Sequence, residues 1–182
     1  MLYEILFLLC SFLIDDGNAG YRNSFVTPTS NIQLPTLVLR MARIKIHLPD
    51  TFSFFARIPV RITDVNYGNH LGNDALLSLI HEARMQYLKS LGFTEMEFAG
   101  VGLIMSDATI EFKAEAFYGD VLKVYVAAAE FSKIGFDLYY ELVKEEAEAT
   151  IAIAKTGMVC FDYTKRKVTA VPQEAKEKMS EP

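Results

Sequence analysis

Between Thr63 and Asn73 the chain reads Thr-Asp-Val-Asn-Tyr-Gly-Asn-His-Leu-Gly-Asn. Asp64, Asn66, Asn69, His70 and Asn73 carry groups that can hold water, move a proton or polarise a carbonyl. A carboxylate at Asp64 can activate water or attack directly. The Asn66 amide and the His70 imidazole can orient either reactant, and Gly68 and Gly72 let the backbone come close to a substrate. The segment runs into a stretch with helical periodicity. A helix start offers unpaired N–H groups and the positive end of a dipole, which can hold a developing oxyanion. These are the parts of a hydrolase acting on an activated carbonyl. The same residue types also build ordinary turns and caps, so composition alone leaves a structural role open.

Other constellations fail on spacing. His81-Glu82-Ala83-Arg84-Met85 starts like a zinc-binding HExxH and ends in Met. Asp64 to Gly68 starts like a calcium loop, but Gly68 and Ala75 stand where ligands belong. Gly100-Val101-Gly102 lacks a third glycine. Neither a GxSxG elbow nor a P-loop occurs. Cys10 and Cys160 are far apart, with no CxxC. No metal or other cofactor is expected, and a reducing cytoplasmic location is. The net charge of -5 and the single short basic run, Lys165-Arg166-Lys167, argue against a nucleic-acid partner.

These residues need elements to hold them. Of the 182 residues, 51% are hydrophobic, enough for one domain with a real core. Phe52 to Ile62 reads as a first strand, with Pro59 marking an edge or bulge. Asn73 or Asp74 can cap a helix that Gly92 ends. Leu76, Leu79, Ile80, Ala83, Tyr87, Leu88 and Leu91 recur at helical spacing, and Leu77 and Met85 broaden the face, so the helix should be largely enclosed. Strands follow at Thr109–Ala114, Val121–Phe131, Phe136–Leu142 and Thr150–Phe161, with a short one at Val168–Val171. Gly157 marks a bulge or close approach, and Gln173 to Met179 a polar helical turn. The pattern predicts an α+β fold, a curved antiparallel sheet wrapped around one long central helix, with an unpaired edge that invites a second copy.

Residues 1–40 differ from the rest. Leu2 to Ile14 is nearly all apolar, too short for a bilayer span of roughly 20 residues, and it carries Glu4 where a signal peptide has a cation. The expectation is a poorly ordered extension at 1–40, possible to dispense with, and a working domain at 41–182 without integral membrane insertion.

The run Asp64 to Asn73, followed by Ile80-His81-Glu82-Ala83-Arg84, resembles the hot-dog-fold acyl-CoA thioesterases of the 4-hydroxybenzoyl-CoA thioesterase type. Members often read D-x-D-x-x-G-H-x-N-N and then E-A-R on the helix. Asp64, His70, Asn73, Glu82, Ala83 and Arg84 fall in place. Gly119-Asp120 and the Lys133-to-Phe136 hairpin extend the likeness over roughly residues 52–165. Three positions depart: Asn66 replaces the second carboxylate, Asn69 the glycine before His, and Gly72 the first paired asparagine.

The resemblance implies a hot-dog fold and hydrolysis of acyl-CoA, or acyl-carrier-protein, thioesters by a homodimer or tetramer. Asp64 becomes the first choice of base and Glu82 the second, with Asn66 and His70 positioning the reactants. Tyr67, Gly72, Asn73, Ser106, Asp107 and Lys133 become candidate substrate contacts. Lys133 stands in a hairpin that meets coenzyme A phosphates in some relatives, and a solvated turn lysine is the plainer alternative. His47 and His81 are expected on the surface. Two rival activities stay open: an enoyl-thioester hydratase, whose D-x-N-P-I-H motif is only echoed here, and a non-catalytic acyl-thioester-binding domain.

Overall fold

The computed structural model describes residues 45–180, and the expected extension at 1–40 lies outside them. The first strand, β1 (Phe54–Pro59), leads through a 3-10 turn at Ile62–Asp64 into the long helix α1 (Asn73–Ser90). Then come β2 (Gly102–Phe112), β3 (Val121–Ala129), β4 (Gly135–Lys144), β5 (Ala149–Asp162), the two-residue β6 (Lys167–Val168) and α2 (Gln173–Ser180). The six strands form one antiparallel sheet in the order β1-β3-β4-β5-β2, with β6 beside β5. The sheet curves around α1, the α+β hot-dog arrangement expected from the sequence.

Alternation along the strands decides the two faces. Leu122, Val124 and Val126 on β3, Leu138, Tyr140 and Leu142 on β4, and Ala152, Ala154 and Met158 on β5 point at α1 and are buried. From α1 come Leu76, Leu79, Ile80, Ala83, Tyr87 and Leu88. Pro59 sits on β1, an edge strand where its missing N–H costs no ladder bond. The helix ends as Gly92 predicts: Gly92 adopts φ +81, and the Phe93 N–H bonds back to the Leu88 carbonyl at 2.8 Å.

Three features differ from the sequence reading. The helix is not enclosed, since Asp74, Ser78, His81 and Glu82 form an exposed face. Strand β2 begins at Gly102, not Thr109. A bulge at Ser106, between Met105 and Asp107, breaks the alternation that would have shown its first half. Gly157 lies opposite this bulge, where an added Cβ would run into Ser106 and Asp107. Finally, the C-terminal segment is a full helix, α2, because Ala175 and Met179 bury against the core. No described helix is long and apolar enough to cross a membrane.

Candidate active site

The loop before α1 is built on its own backbone. Asn66 N–H bonds to the His70 carbonyl (2.9 Å), and Asn69 N–H to the Asn66 carbonyl (3.0 Å). Asn69 takes the left-handed φ of 63° that closes this turn, a conformation asparagine tolerates. The Asn66 side-chain oxygen accepts the Gly68 N–H at 2.8 Å, an Asx turn. Its amide nitrogen lies 3.5 Å from His70 Nδ1. The loop is stapled to the helix start by Gly72 N–H on the Asp64 carbonyl (2.9 Å), and to the β2–β3 connection by Leu71 N–H on the Ala116 carbonyl (2.8 Å).

Asp64 is buried, and its carboxylate is fully engaged. It accepts the Arg61 backbone N–H at 2.8 Å and the Arg61 guanidinium at 3.1 and 3.2 Å, with Thr63 Oγ1 3.4 Å away. Burial pushes its pKa up, but the bonds from Arg61 outweigh burial and hold the carboxyl below the usual range. The fold thus gives the expected base a structural task. Asp64 closes the 3-10 turn and anchors Arg61.

Helix α1 starts at Asn73 with Gly72 in extended conformation before it, and no side chain caps it. A Cβ at Gly72 would stand 2.7 Å from Asp74 Oδ1, so glycine leaves room for the Asp74 carboxylate beside the helix start. Asn73 is exposed and Tyr67 fully exposed beside the loop. Two turns on, Glu82 is exposed and accepts Gln86 Nε2 at 2.8 Å. It shares a groove of about 460 Å³ between β1 and α1 with Arg57, Arg61 and His81.

Within one chain the other expected contacts stay apart from this loop. Ser106 and Asp107 form the β2 bulge, with Ser106 Oγ 2.8 Å from Asp107 Oδ2 and 3.1 Å from the Gly157 carbonyl. Asp107 pairs with Gly157, which pairs with Asp137, so it belongs to the convex side of the sheet, away from α1. Lys133 is exposed in the β3–β4 turn. No cluster of three or more His, Cys, Asp or Glu suited to a metal ion occurs among the described residues.

The structure adds a polar assembly that the sequence did not announce. Arg84 is buried on α1 and donates Nε to Glu95 Oε1 at 2.6 Å, while Glu95 Oε2 lies 3.2 Å from His81 Nε2. The buried Tyr140 hydroxyl lies 3.1 Å from Thr156 Oγ1 in the adjoining strands. Burial raises the Tyr140 pKa, against an opposing pull from the Arg84 charge. Glu95 is held by its neighbours: Phe93 and Phe98 bury into the core, Phe98 stacks on Phe136, and the Glu95 carbonyl accepts Leu103 N–H at 2.7 Å. The signal in the sequence was Arg84 on the apolar face of a helix, where a cation needs a buried partner.

A sheet curved around one helix, with an uncapped helix start behind an Asp/Asn/His loop, defines the thioesterase class of hot-dog proteins. The family model of the Thioesterase-like superfamily matches residues 60–179, and the chain belongs to that family. It is 30% identical over 129 residues to a 1,4-dihydroxy-2-naphthoyl-CoA hydrolase of Synechocystis sp., covering 68% of this chain and 90% of that protein. A hydrolase of the same name from Microcystis aeruginosa is 33% identical over 104 residues, 56% of this chain and 74% of that protein. Among solved structures, a 1,4-dihydroxy-2-naphthoyl-CoA thioesterase from Synechocystis superposes with a TM-score of 0.64 at 26% identity, covering 69% of this chain and 94% of that one. Thioester hydrolysis is the activity these relatives support for this enzyme.

Proposed function

We propose that this enzyme hydrolyses an acyl-CoA thioester to the free acid and coenzyme A, working in the cytoplasm as a homo-oligomer. One observation carries the reading: the loop 64–73 delivers a helix start that no side chain caps, the group that can polarise a thioester carbonyl. Asn66 and His70 order that loop, and Tyr67, Gly72 and Asn73 border the place where the thioester would lie. Lys133, Ser106 and Asp107 would meet substrate only where a second copy brings them near. The oligomer is supported by β2. Its outer edge has no described partner strand, and its inward Ala108 and Phe112 remain exposed.

Thiol release from short, long, branched and aromatic acyl-CoA substrates tests the reading, with the aromatic class first because the named relatives act on 1,4-dihydroxy-2-naphthoyl-CoA. Rapid release from one class supports it and names the acyl group. Tight binding without release across the panel refutes hydrolysis and favours a binding domain. Acyl-carrier-protein thioesters run beside the panel, and faster release from them replaces coenzyme A as the carrier.

A further inference from the structure

Two grooves flank α1 and share Ser78 and His81 as their common wall. One lies toward β1. The other, about 230 Å³, lies toward β2 and is also lined by Asp74, Leu77, Arg84 and Met105. His81 stands on this ridge with half of its side chain exposed (53%). Its Nε2 lies 3.2 Å from Glu95 Oε2, and the other oxygen of Glu95 is held at 2.6 Å by the buried Arg84. A carboxylate only accepts hydrogen bonds, so Nε2 carries the ring proton in this contact and Nδ1 keeps its lone pair. An imidazole oriented by a carboxylate that is itself anchored is the arrangement of a general base.

The other candidates are less suited. The Asp64 carboxylate is consumed by Arg61. Glu82 is tied only to Gln86 on an open helix face, with no group behind it to fix its direction. Asn66 cannot take a proton as a carboxylate would.

We propose that His81 is the catalytic base of thioester hydrolysis and that Glu95 is its positioning residue. The proposal rests on the thioester-hydrolase reading above. His81 Nδ1 takes a proton from water as the water oxygen bonds to the carbonyl carbon. The tetrahedral oxyanion then collapses, the C–S bond breaks, and the imidazolium returns the proton to the departing thiolate. The products are one acid and one thiol.

Geometry adds a constraint. His81 lies nine positions after Gly72 along α1, about 13 Å at 1.5 Å per residue. One carbonyl cannot meet both within a chain, so His81 of one copy serves the carbonyl held at the helix start of a second.

The test compares wild type with His81→Ala on the best thioester of the panel. His81 is surface-exposed, so the variant should keep its fold, checked by thermal melting. The expected result is a kcat loss of about 100-fold or more, loss of the acid limb of kcat/KM, and partial rescue by added imidazole. A structural histidine would give neither the lost limb nor the rescue. The charged groups around this ring are Glu95, Arg84 and Asp74 on the β2 side and Arg57, Arg61 and Glu82 on the β1 side; none of these would respond to imidazole. A kcat within about threefold of wild type, with an unchanged acid limb, overturns the proposal. A wild type inert toward every thioester overturns the functional reading itself. Mixing and refolding His81→Ala with Gly72→Val should restore up to about a quarter of wild-type activity in hybrid dimers. No recovery from confirmed hybrids overturns the shared site.

Discussion

Replacing Asp64 by Asn separates the two tasks its carboxylate could have. In the structure it accepts one backbone N–H at 2.8 Å and two guanidinium contacts at 3.1 and 3.2 Å. Asn keeps one acceptor oxygen for the backbone N–H and loses the charge. A hydrogen bond to a charged group contributes about 1.5–3 kcal/mol, but the guanidinium is 66% exposed, where an ion pair contributes about 1 kcal/mol or less. The expected loss is therefore about 1–2 kcal/mol, or a melting temperature lower by about 2–8 °C. The sign with pH follows from the lowered pKa of Asp64 in the fold. Its stabilisation is fully present above the unfolded carboxyl value near about pH 4 and is lost as pH falls through the folded value. Urea melts of wild type and Asp64→Asn should differ at pH 7 and converge in strong acid. Thiol release at pH 7 should change by no more than about tenfold, where loss of a true general base costs about 10²–10⁴. An unchanged melt with a kcat down about a thousandfold would show Asp64 to be the base and refute the structural assignment.

Glu95→Gln leaves Arg84 buried without its counter-charge and should cost about 3 kcal/mol in a denaturant melt, whereas Arg84→Met together with Glu95→Gln should cost less than Glu95→Gln alone. A double-variant cost equal to the sum of the costs of Glu95→Gln and Arg84→Met alone would mean the pair is uncoupled. Cys160 is buried on β5, and desolvation pushes its thiol up to about 11. In native protein at about pH 8 it should resist a maleimide, and peptide mapping should find label there only after denaturation; labelling in the native state would contradict its burial.

The fold was legible where a local pattern survives. Alternation in Phe136–Leu142 and helical spacing from Leu76 to Leu91 each mark a face that must be buried. The pattern failed at Ser106, because one extra residue turns Asp107 outward where the period asks for an inward side chain. The loop at 64–73 was legible as a concentration of polar groups and glycines, and so was its place before the helix. The engagement of Asp64 was not, because the strand pattern runs on through Arg61 to Ile62 and hides the turn that brings Arg61 back to Asp64. The Arg84–Glu95–His81 assembly was hidden for another reason. Its geometry depends on Phe93 and Phe98 folding into the core, a long-range event that no window around either charged residue contains.

The Arg84–Glu95 pair also fixes where the helix sits along its own axis. The sheet beneath α1 offers apolar contacts from Ala152, Ala154, Val124 and Leu138 and from the larger Tyr140 and Met158, none of which carries a charge. A slip of one turn would move Arg84 by about 5.4 Å and strand a buried cation and its carboxylate. The pair acts as a detent on translation. Because the helix is a stiff rod, the same detent sets how far Gly72 and Asn73 protrude at the other end. The placement of the site is thus calibrated by a contact three turns away, and surface changes near the loop can alter its chemistry without shifting its position.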